Sequence, residues 1–302
     1  MADVQTLIRS NYQGSAYRED ILDIIYQITP EDTPFFNMIG DSKATSVMHQ
    51  WGTRALAARA NNAQHEGQQY AIGDYADTNL PTRETNFCQI VRKLPRVTNT
   101  QQSMDVHGIS DLMADQIAVR SVEFKTDIEH ALLAGSLNSG PTLVDDDDGT
   151  SARQMGGFYD VATLRDNGTA SLTEELFNDE LQYGWEAGAR FGDCLTGAAM
   201  KRVISTFNDS QTRFIGADEA KIVNAVEVYE GDFHITTISK SRDVVDKAVF
   251  FFDREFFSKA WLREPTTELL PSTGDDTKAV VIAELTLEYG NSNAARNSYN
   301  FG

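Results

Sequence analysis

A chain of 302 residues, 41% of them hydrophobic and 24% charged, can bury a sizeable core in one elaborate domain or two lobes. Its 45 acidic against 26 basic residues give a formal charge of -19, an excess of carboxylates that repels phosphate backbones and argues against sequence-specific nucleic-acid recognition. The longest apolar runs, Ala248 to Phe252 among them, are too short for a membrane span and the first residues lack the pattern of a signal peptide, so a soluble protein made in the cytosol is expected.

The first 42 residues read as an arm. Ile21, Leu22, Ile24, Ile25 and Ile28 form a short helical cluster that the prolines at 30 and 34 interrupt. Phe35, Phe36, Met38 and Ile39 follow and give the arm an apolar end to dock on a larger body. From 44 to 56 and from 85 to 98, Val47, Trp51, Phe87, Ile90, Val91 and Val97 predict strands. The 27 residues between, Ala58 to Glu84, are far too many for a hairpin turn of about two to five residues. Arg59, Asn61, Asn62, Gln64, Glu66, Gln68 and Gln69 offer no apolar face to their own domain, which leaves either disorder or an arm ordered against another subunit. Tyr70, Ile72 and Tyr75 favour the arm, because such residues anchor contacts.

The segment Ser110 to Ala134 has a pattern with one reading. Met113, Ile117, Phe124, Ile128 and Leu132 recur at steps of four or seven, on one stripe of a long α-helix. Ser110 is the expected N-cap, Asp111 and Asp115 suit the positive end of the helix dipole, and Gly135 suits the position after the last turn. Arg120, Glu123 and Glu129 are expected on the opposite, outward face. The loop 136–153 carries Asp145 to Asp148 before Gly149. Val144 occupies the first place of a calcium loop, so that motif fails and a solvated linker between lobes is the reading.

In the second lobe, 154–247, Ser171 and Glu174 have capping-box spacing for a helix that turns Leu176, Phe177, Leu181 and Trp185 inward and stops at Gly188. A second helix is expected from Leu195 to Phe207, then alternating strands at 222–229 and 234–238 joined at Gly231. The tail returns to sheet, with a short buried strand from Ala248 to Phe252 and a longer one from Ala279 to Tyr289. In the longer strand Val281, Ala283, Leu285 and Leu287 share a face, and Pro271 to Asp276 supply the turn before it.

No catalytic, cofactor-binding or metal-ligating residue is assigned. Phosphate loops, dinucleotide fingerprints, nucleophile elbows and zinc-protease helices are absent from the sequence. His49, His65, His107, His130 and His234 are scattered without ligand spacing, and His130 beside Asp127 is ordinary helix chemistry. Cys88 and Cys194 read as reduced, buried thiols. Among 45 carboxylates some pairs must lie close, but no signal selects an acid/base pair.

Thr33-Pro34-Phe35-Phe36, the Trp51 strand, Glu66-Gly67, Asn86 with Gln89-Ile90-Val91, Val97 to Gln101 and Gly108 follow one another in an order that resembles tailed-bacteriophage major capsid proteins. Tyr229 to Phe233, Asp253, Leu262-Arg263, Gly274-Asp275, Glu284 to Leu287 and Asn291 extend the resemblance to the end, with His234 where glycine is expected. The resemblance implies an α+β fold of the Hong Kong 97 type. Its parts would be an N-terminal arm (1–42), an extended loop hairpin (43–100), a peripheral domain with a spine helix (101–153), an axial domain (154–247) and a peripheral-domain sheet (248–302).

It further implies self-assembly into the hexamers and pentamers of an icosahedral head that encloses double-stranded DNA, with assembly in the host cytoplasm and final residence in the virion. Portal, scaffolding and decoration proteins are implied as partners, and no cofactor. Asn61, Gln64, Glu66, Gln69, Tyr70 and Tyr75 would be extended-loop contacts with a neighbouring subunit. The absence of lysine between Lys43 and Lys93 argues against a covalent cross-link from the loop tip, and the early Thr33-Pro34 argues for a separate scaffolding protein. Two alternatives are a cellular nanocompartment shell of the encapsulin type and, from a different class, a soluble carboxylate-dependent hydrolase.

Overall fold

The structure is a computed structural model, and it describes residues 32–59, 61, 63–67, 69, 79–106, 108–139, 152–207 and 227–302. The apolar cluster at 21–28, the acidic run at 145–148 and the expected strand residues 222–226 lie outside these. In chain order the elements are α1 (Pro34–Met38), β1 (Gly40–Lys43), β2 (Met48–Thr53), β3 (Thr82–Phe87), β4 (Gln89–Lys93), β5 (Arg96–Thr98), α2 (Asn99–Ser103), α3 (Leu112–Ala134), α4 (Phe158–Val161), β6 (Thr163–Asp166), α5 (Glu174–Ala187), β7 (Asp193–Thr196), α6 (Ala198–Thr206), β8 (Val228–Glu230), β9 (Ile235–Lys240), β10 (Val249–Phe252), β11 (Phe257–Leu270), β12 (Asp276–Tyr289) and β13 (Ala295–Tyr299).

Three sheets organise them. The first runs β1-β11-β12-β4, with β5 also pairing β12, and is built on the long β11–β12 hairpin. The second runs β6-β13-β10-β7-β9-β8, and the third is the β2–β3 ribbon alone. The tail, expected as one sheet, therefore divides: β11 and β12 join the first sheet while β10 and β13 enter the second. Sequence periodicity gives a strand its faces but not its neighbours, and the partners came from far along the chain, Gly40 pairing with Ser258 and Arg296 with Thr163.

Alternation explains how β10 can carry four apolar residues in a row. Phe250 and Phe252 enter a core that also holds Phe35, Phe124, Ile128, Phe158, Val281 and Leu285. Val249 and Phe251 enter a second core with Phe177, Leu181, Phe191 and Ile204. Successive side chains of a strand point to opposite faces, so a strand buried on both sides reads as an unbroken apolar run. The neighbouring β7 repeats the device, with Leu195 in the first core and Cys194 in the second.

α3 is 23 residues, about 35 Å long. Met113, Phe124, Ile128 and Leu132 are buried as expected, and Ile117 packs half-buried on Val97 and Ala279. Its N-cap is Asp111, not Ser110: Asp111 Oδ1 accepts from the N–H groups of Met113 at 3.0 Å and Ala114 at 3.1 Å. A carboxylate caps the dipole better than a hydroxyl one residue too early, and Gln102 Nε2, donating at 2.9 Å, holds it in place. The cap of α5 lies two residues later than the expected Ser171, with Thr173 Oγ1 accepting from Leu176 N at 3.3 Å. It ends at Gly188, whose φ of 85° is the left-handed conformation that favours glycine. Phe177 and Leu181 are buried and Leu176 half-buried, but Trp185 is 60% exposed. The helix expected at Leu195 begins only at Ala198, because 193–196 is claimed by the second sheet.

At the end of α3 the chain folds back so closely that two backbones touch. Gly157 N donates to Gly135 O at 2.8 Å, and a Cβ on Gly157 would lie 2.7 Å from Gly135 N and 2.9 Å from Ala131 O. Backbone atoms on both sides leave nothing soft to yield, so Gly157→Ala is expected to cost about 2 to 4 kcal/mol. Gly274→Ala, where nothing lies within 4 Å, is expected to change little. Urea unfolding of the two variants beside the parent protein measures the difference.

Candidate assembly site

The β2–β3 ribbon leaves the body as an arm. Register pairs Met48 with Phe87 at its base and Thr53 with Thr82 at its far end. Only one face of β2 is half-covered, at His49, Trp51 and Thr53. At the base, Asn86 is buried and its side chain makes four hydrogen bonds: its Nδ2 donates to Leu287 O at 2.7 Å and Gly156 O at 3.0 Å, and its Oδ1 accepts from Gly156 N at 2.9 Å and Phe87 N at 2.9 Å. Trp51 meets the Tyr289 ring edge-on at 4.8 Å between centroids, and His49 Nε2 stands 3.3 Å from Glu288 Oε2. Beyond Thr53 the protection stops. Every described residue from Arg54 to Pro81 is exposed, including Leu56 at 89% and Leu80 at 72%.

Asn61, Gln64, Glu66 and Gln69 lie in this exposed stretch, and Gly67 turns there with φ of 77°. Asn61 Oδ1 accepts from Ala63 N at 3.3 Å, a local turn that organises the arm without attaching it to the body. Tyr70 and Tyr75 lie outside the described residues.

A second appendage enters at α1. Phe35 is fully buried, with ring centroids 5.4 Å from Phe252 and 5.8 Å from Phe158. The five-residue helix is held at both ends by side chains from far along the chain. Glu129 of α3 accepts from Phe35 N at 2.9 Å and Phe36 N at 2.6 Å, which satisfies two N–H groups at the helix start. Lys259 of β11 donates from Nζ to Phe36 O at 2.7 Å and Ile39 O at 3.2 Å, and its ammonium sits 4.2 Å from the Phe36 ring centroid. Glu129 is thus not on an outward face. It is fully buried, and so are Ile128, Leu132 and Leu133 around it. The signal for this was present in Leu133, one helical turn beyond Glu129, which widens the apolar stripe past the five residues counted in sequence. His130 also departs from expectation: its Nδ1 lies 3.3 Å from Asp243 Oδ1, while Asp127 pairs with Lys93 Nζ at 2.7 Å.

Buried Glu180, Asp193, Asp276 and Glu284 each face an arginine. Both thiols are buried, and burial pushes Cys88 up to about 11, away from thiolate reactivity. Among the described residues no three His, Cys, Asp or Glu side chains gather as metal ligands.

Glu129 differs from those paired carboxylates, since burial pushes its pKa up to about 7 against the opposing pull of the Phe36 and Phe35 N–H groups. An acid raised in the folded state binds its proton more tightly there than in the unfolded chain. Its contribution is therefore full below about pH 4.5 and is lost as pH rises through about 7. Comparison with Glu129→Gln isolates this from the other carboxylates. The stability of the parent relative to the variant is expected to fall by about 3 kcal/mol between pH 4.5 and pH 8, measured by urea unfolding of unassembled protein. A constant difference would remove the assignment.

A family model described as the SU10 major capsid protein matches residues 4–296. The major capsid protein of Escherichia phage Phieco32 is 28% identical over 162 residues, which cover 49% of this chain and 45% of that protein, so the chain spans about half the length of this curated relative. The capsid asymmetric unit of cyanophage A-1(L) superposes with a TM-score of 0.68 at 11% identity over 97% of this chain and 99% of that one. The holo-SrpI encapsulin complex from Synechococcus elongatus PCC 7942 gives 0.58 at 10% identity over 95% and 92%. Identities this low show fold alone, and the fold is the α+β Hong Kong 97 type with its arm, ribbon and two cores. The family match runs through the arm, the ribbon and both cores, and the chain belongs to the SU10 major capsid protein family.

Proposed function

We propose that this chain is the shell-forming protein of a phage head, gathering with copies of itself as hexamers and pentamers into an icosahedral container for double-stranded DNA. The observation that carries the reading is the ribbon: anchored at its base by Asn86 and Trp51, it exposes every described residue from Arg54 to Pro81. An extended polar segment with leucines at 89% and 72% exposure gains nothing from its own body and much from a neighbour's surface. Many such weak contacts, repeated by symmetry, close a shell without any strong one.

In this reading residues 1–42 are the N-terminal arm, 43–100 the extended loop, 101–153 and 248–302 the peripheral domain and 154–247 the axial domain. β10 and β13 then serve the axial sheet although they come from the tail. Asn61, Gln64, Glu66, Gln69, Tyr70 and Tyr75 contact the neighbouring subunit. The loop tip forms no lysine cross-link, since no lysine lies between Lys43 and Lys93. Portal and scaffolding proteins are the partners of the container, decoration proteins are optional additions to it, and assembly takes place in the host cytoplasm. A cellular nanocompartment shares the fold, and the phage family match favours the head.

Removal of residues 61–78 is expected to abolish particles while leaving helix content intact. Size-exclusion chromatography with negative-stain imaging reads the first and circular dichroism the second. Particles of ordinary size from the shortened chain would overturn the role of the loop, and a parent protein that stays monomeric at every concentration would overturn the shell.

A further inference from the structure

On a chain of net charge -19, one cleft among the described residues gathers four basic side chains. It has a volume of about 700 Å3, and its walls carry Lys125 from α3, Lys201 and Arg202 from α6 and Lys240 from β9. Asp32 and Glu227 are the carboxylates on the same walls. Asp32 Oδ2 stands 3.7 Å from Arg242 Nε, which brings a fifth cation to the rim. Two of the ammonium groups are fixed: Lys201 Nζ donates to Ile238 O at 3.0 Å and Lys125 Nζ to Asn37 Oδ1 at 3.0 Å. Burial lowers the Lys201 pKa, Cys194 and Glu227 oppose that shift, and Lys240 adds a smaller push downward. Four cations against two carboxylates in one cleft of an acidic molecule suit an anion between them.

We infer that this cleft is a phosphate-backbone site, at which each copy of the shell protein touches the DNA it encloses; the inference rests on the container reading above. The lining favours phosphate over an acidic protein segment. Docked peptides take their affinity from buried apolar anchors, and Pro34 and Ile238 are the apolar side chains this lining offers. Phosphate oxygens need only cations and hydroxyl donors, and Thr237 and Ser239 stand beside the charges. Contacts of this kind carry no sequence information, and a few per copy grip DNA weakly while the surrounding negative charge keeps it from adhering elsewhere.

The test uses unassembled protein and a mixed-sequence DNA duplex of about 20 base pairs, with binding read by fluorescence anisotropy at several salt concentrations. Arg202→Gln with Lys240→Gln changes two exposed side chains and spares the fixed ones. The double variant is expected to bind about tenfold more weakly at low salt, with a log–log salt slope shallower by about 2. Lys43→Gln with Lys247→Gln, also exposed and on other surfaces, is expected to match the parent. Equal binding by parent and cleft variant would place the DNA elsewhere. Binding of polyglutamate but not DNA would make the occupant an acidic segment, and binding of neither would leave no polyanion site, so all three results overturn the proposal.

Orientation supplies a second reading. Thr237→Cys puts an exposed thiol in the cleft, against a low background because Cys88 and Cys194 are buried. A maleimide on a bulky polymer is expected to label it only after closed particles are opened. Labelling of intact particles would put the cleft outside and end the proposal. The container reading is scored separately, by nuclease-protected DNA inside the particles.

Discussion

Both faces of β10 are buried, and the two cores share it as a wall. Phe250 and Phe252 face one side, Val249 and Phe251 the other, and all four are at most 1% exposed. Phe158 stacks on Phe250 at 4.7 Å between centroids, while Phe177 meets Phe251 edge-on at 4.9 Å. Each buried side chain of this size is worth about 2 to 3 kcal/mol relative to exposure. A strand that contributes to both cores couples them, because neither can loosen on that side without exposing the other. β7 joins the two cores in the same way, with Leu195 in one and Cys194 in the other.

Two appendages join this body, and both are strongly fixed at the root; the ribbon is exposed at every described residue beyond it, from Arg54 to Pro81. The ribbon is fixed by an amide that satisfies backbone groups of two other segments, at Gly156 and Leu287. α1 is fixed by Phe35 in the core and by a carboxylate and an ammonium at its two ends. Buried charges are costly unless hydrogen-bonded, and here each is used where a short helix leaves its own N–H and C=O groups without partners. A part that must find a neighbour benefits from a root that does not wander, since less freedom is then lost on contact.

Charge is distributed with the same economy. The deep carboxylates Glu180, Asp193, Asp276 and Glu284 are met by arginines. Arg96 and Arg254 keep more than half of their side chains in solvent while the carboxylates they meet are buried, so these pairs join core to surface on a chain whose formal charge is -19. Such a charge keeps copies soluble before assembly and makes contacts between them dependent on salt. The cleft at Lys125, Lys201, Arg202 and Lys240 stands out against that background.

What the sequence determined by itself is whatever neighbours along the chain specify. The apolar stripe of α3, the stop of α5 at Gly188, the face formed by Val281, Ala283, Leu285 and Leu287, and a polar segment too long for a turn were all legible, as was a family order of short motifs from Thr33 to Asn291. Each depends on a period of 2 or 3.6 residues or on a run of composition. What only the tertiary structure decided depends on residues brought together from far apart. The caps moved to Asp111 and Thr173, Glu129 turned from an outward position into a buried clamp across 94 residues, and β10 and β13 went to a different sheet from β11 and β12. The cationic cleft likewise draws its members from α3, α6 and β9, which lie tens of residues apart. No local pattern encodes such meetings, because a charged residue in a sequence reads as solvated until the chain has folded a partner against it.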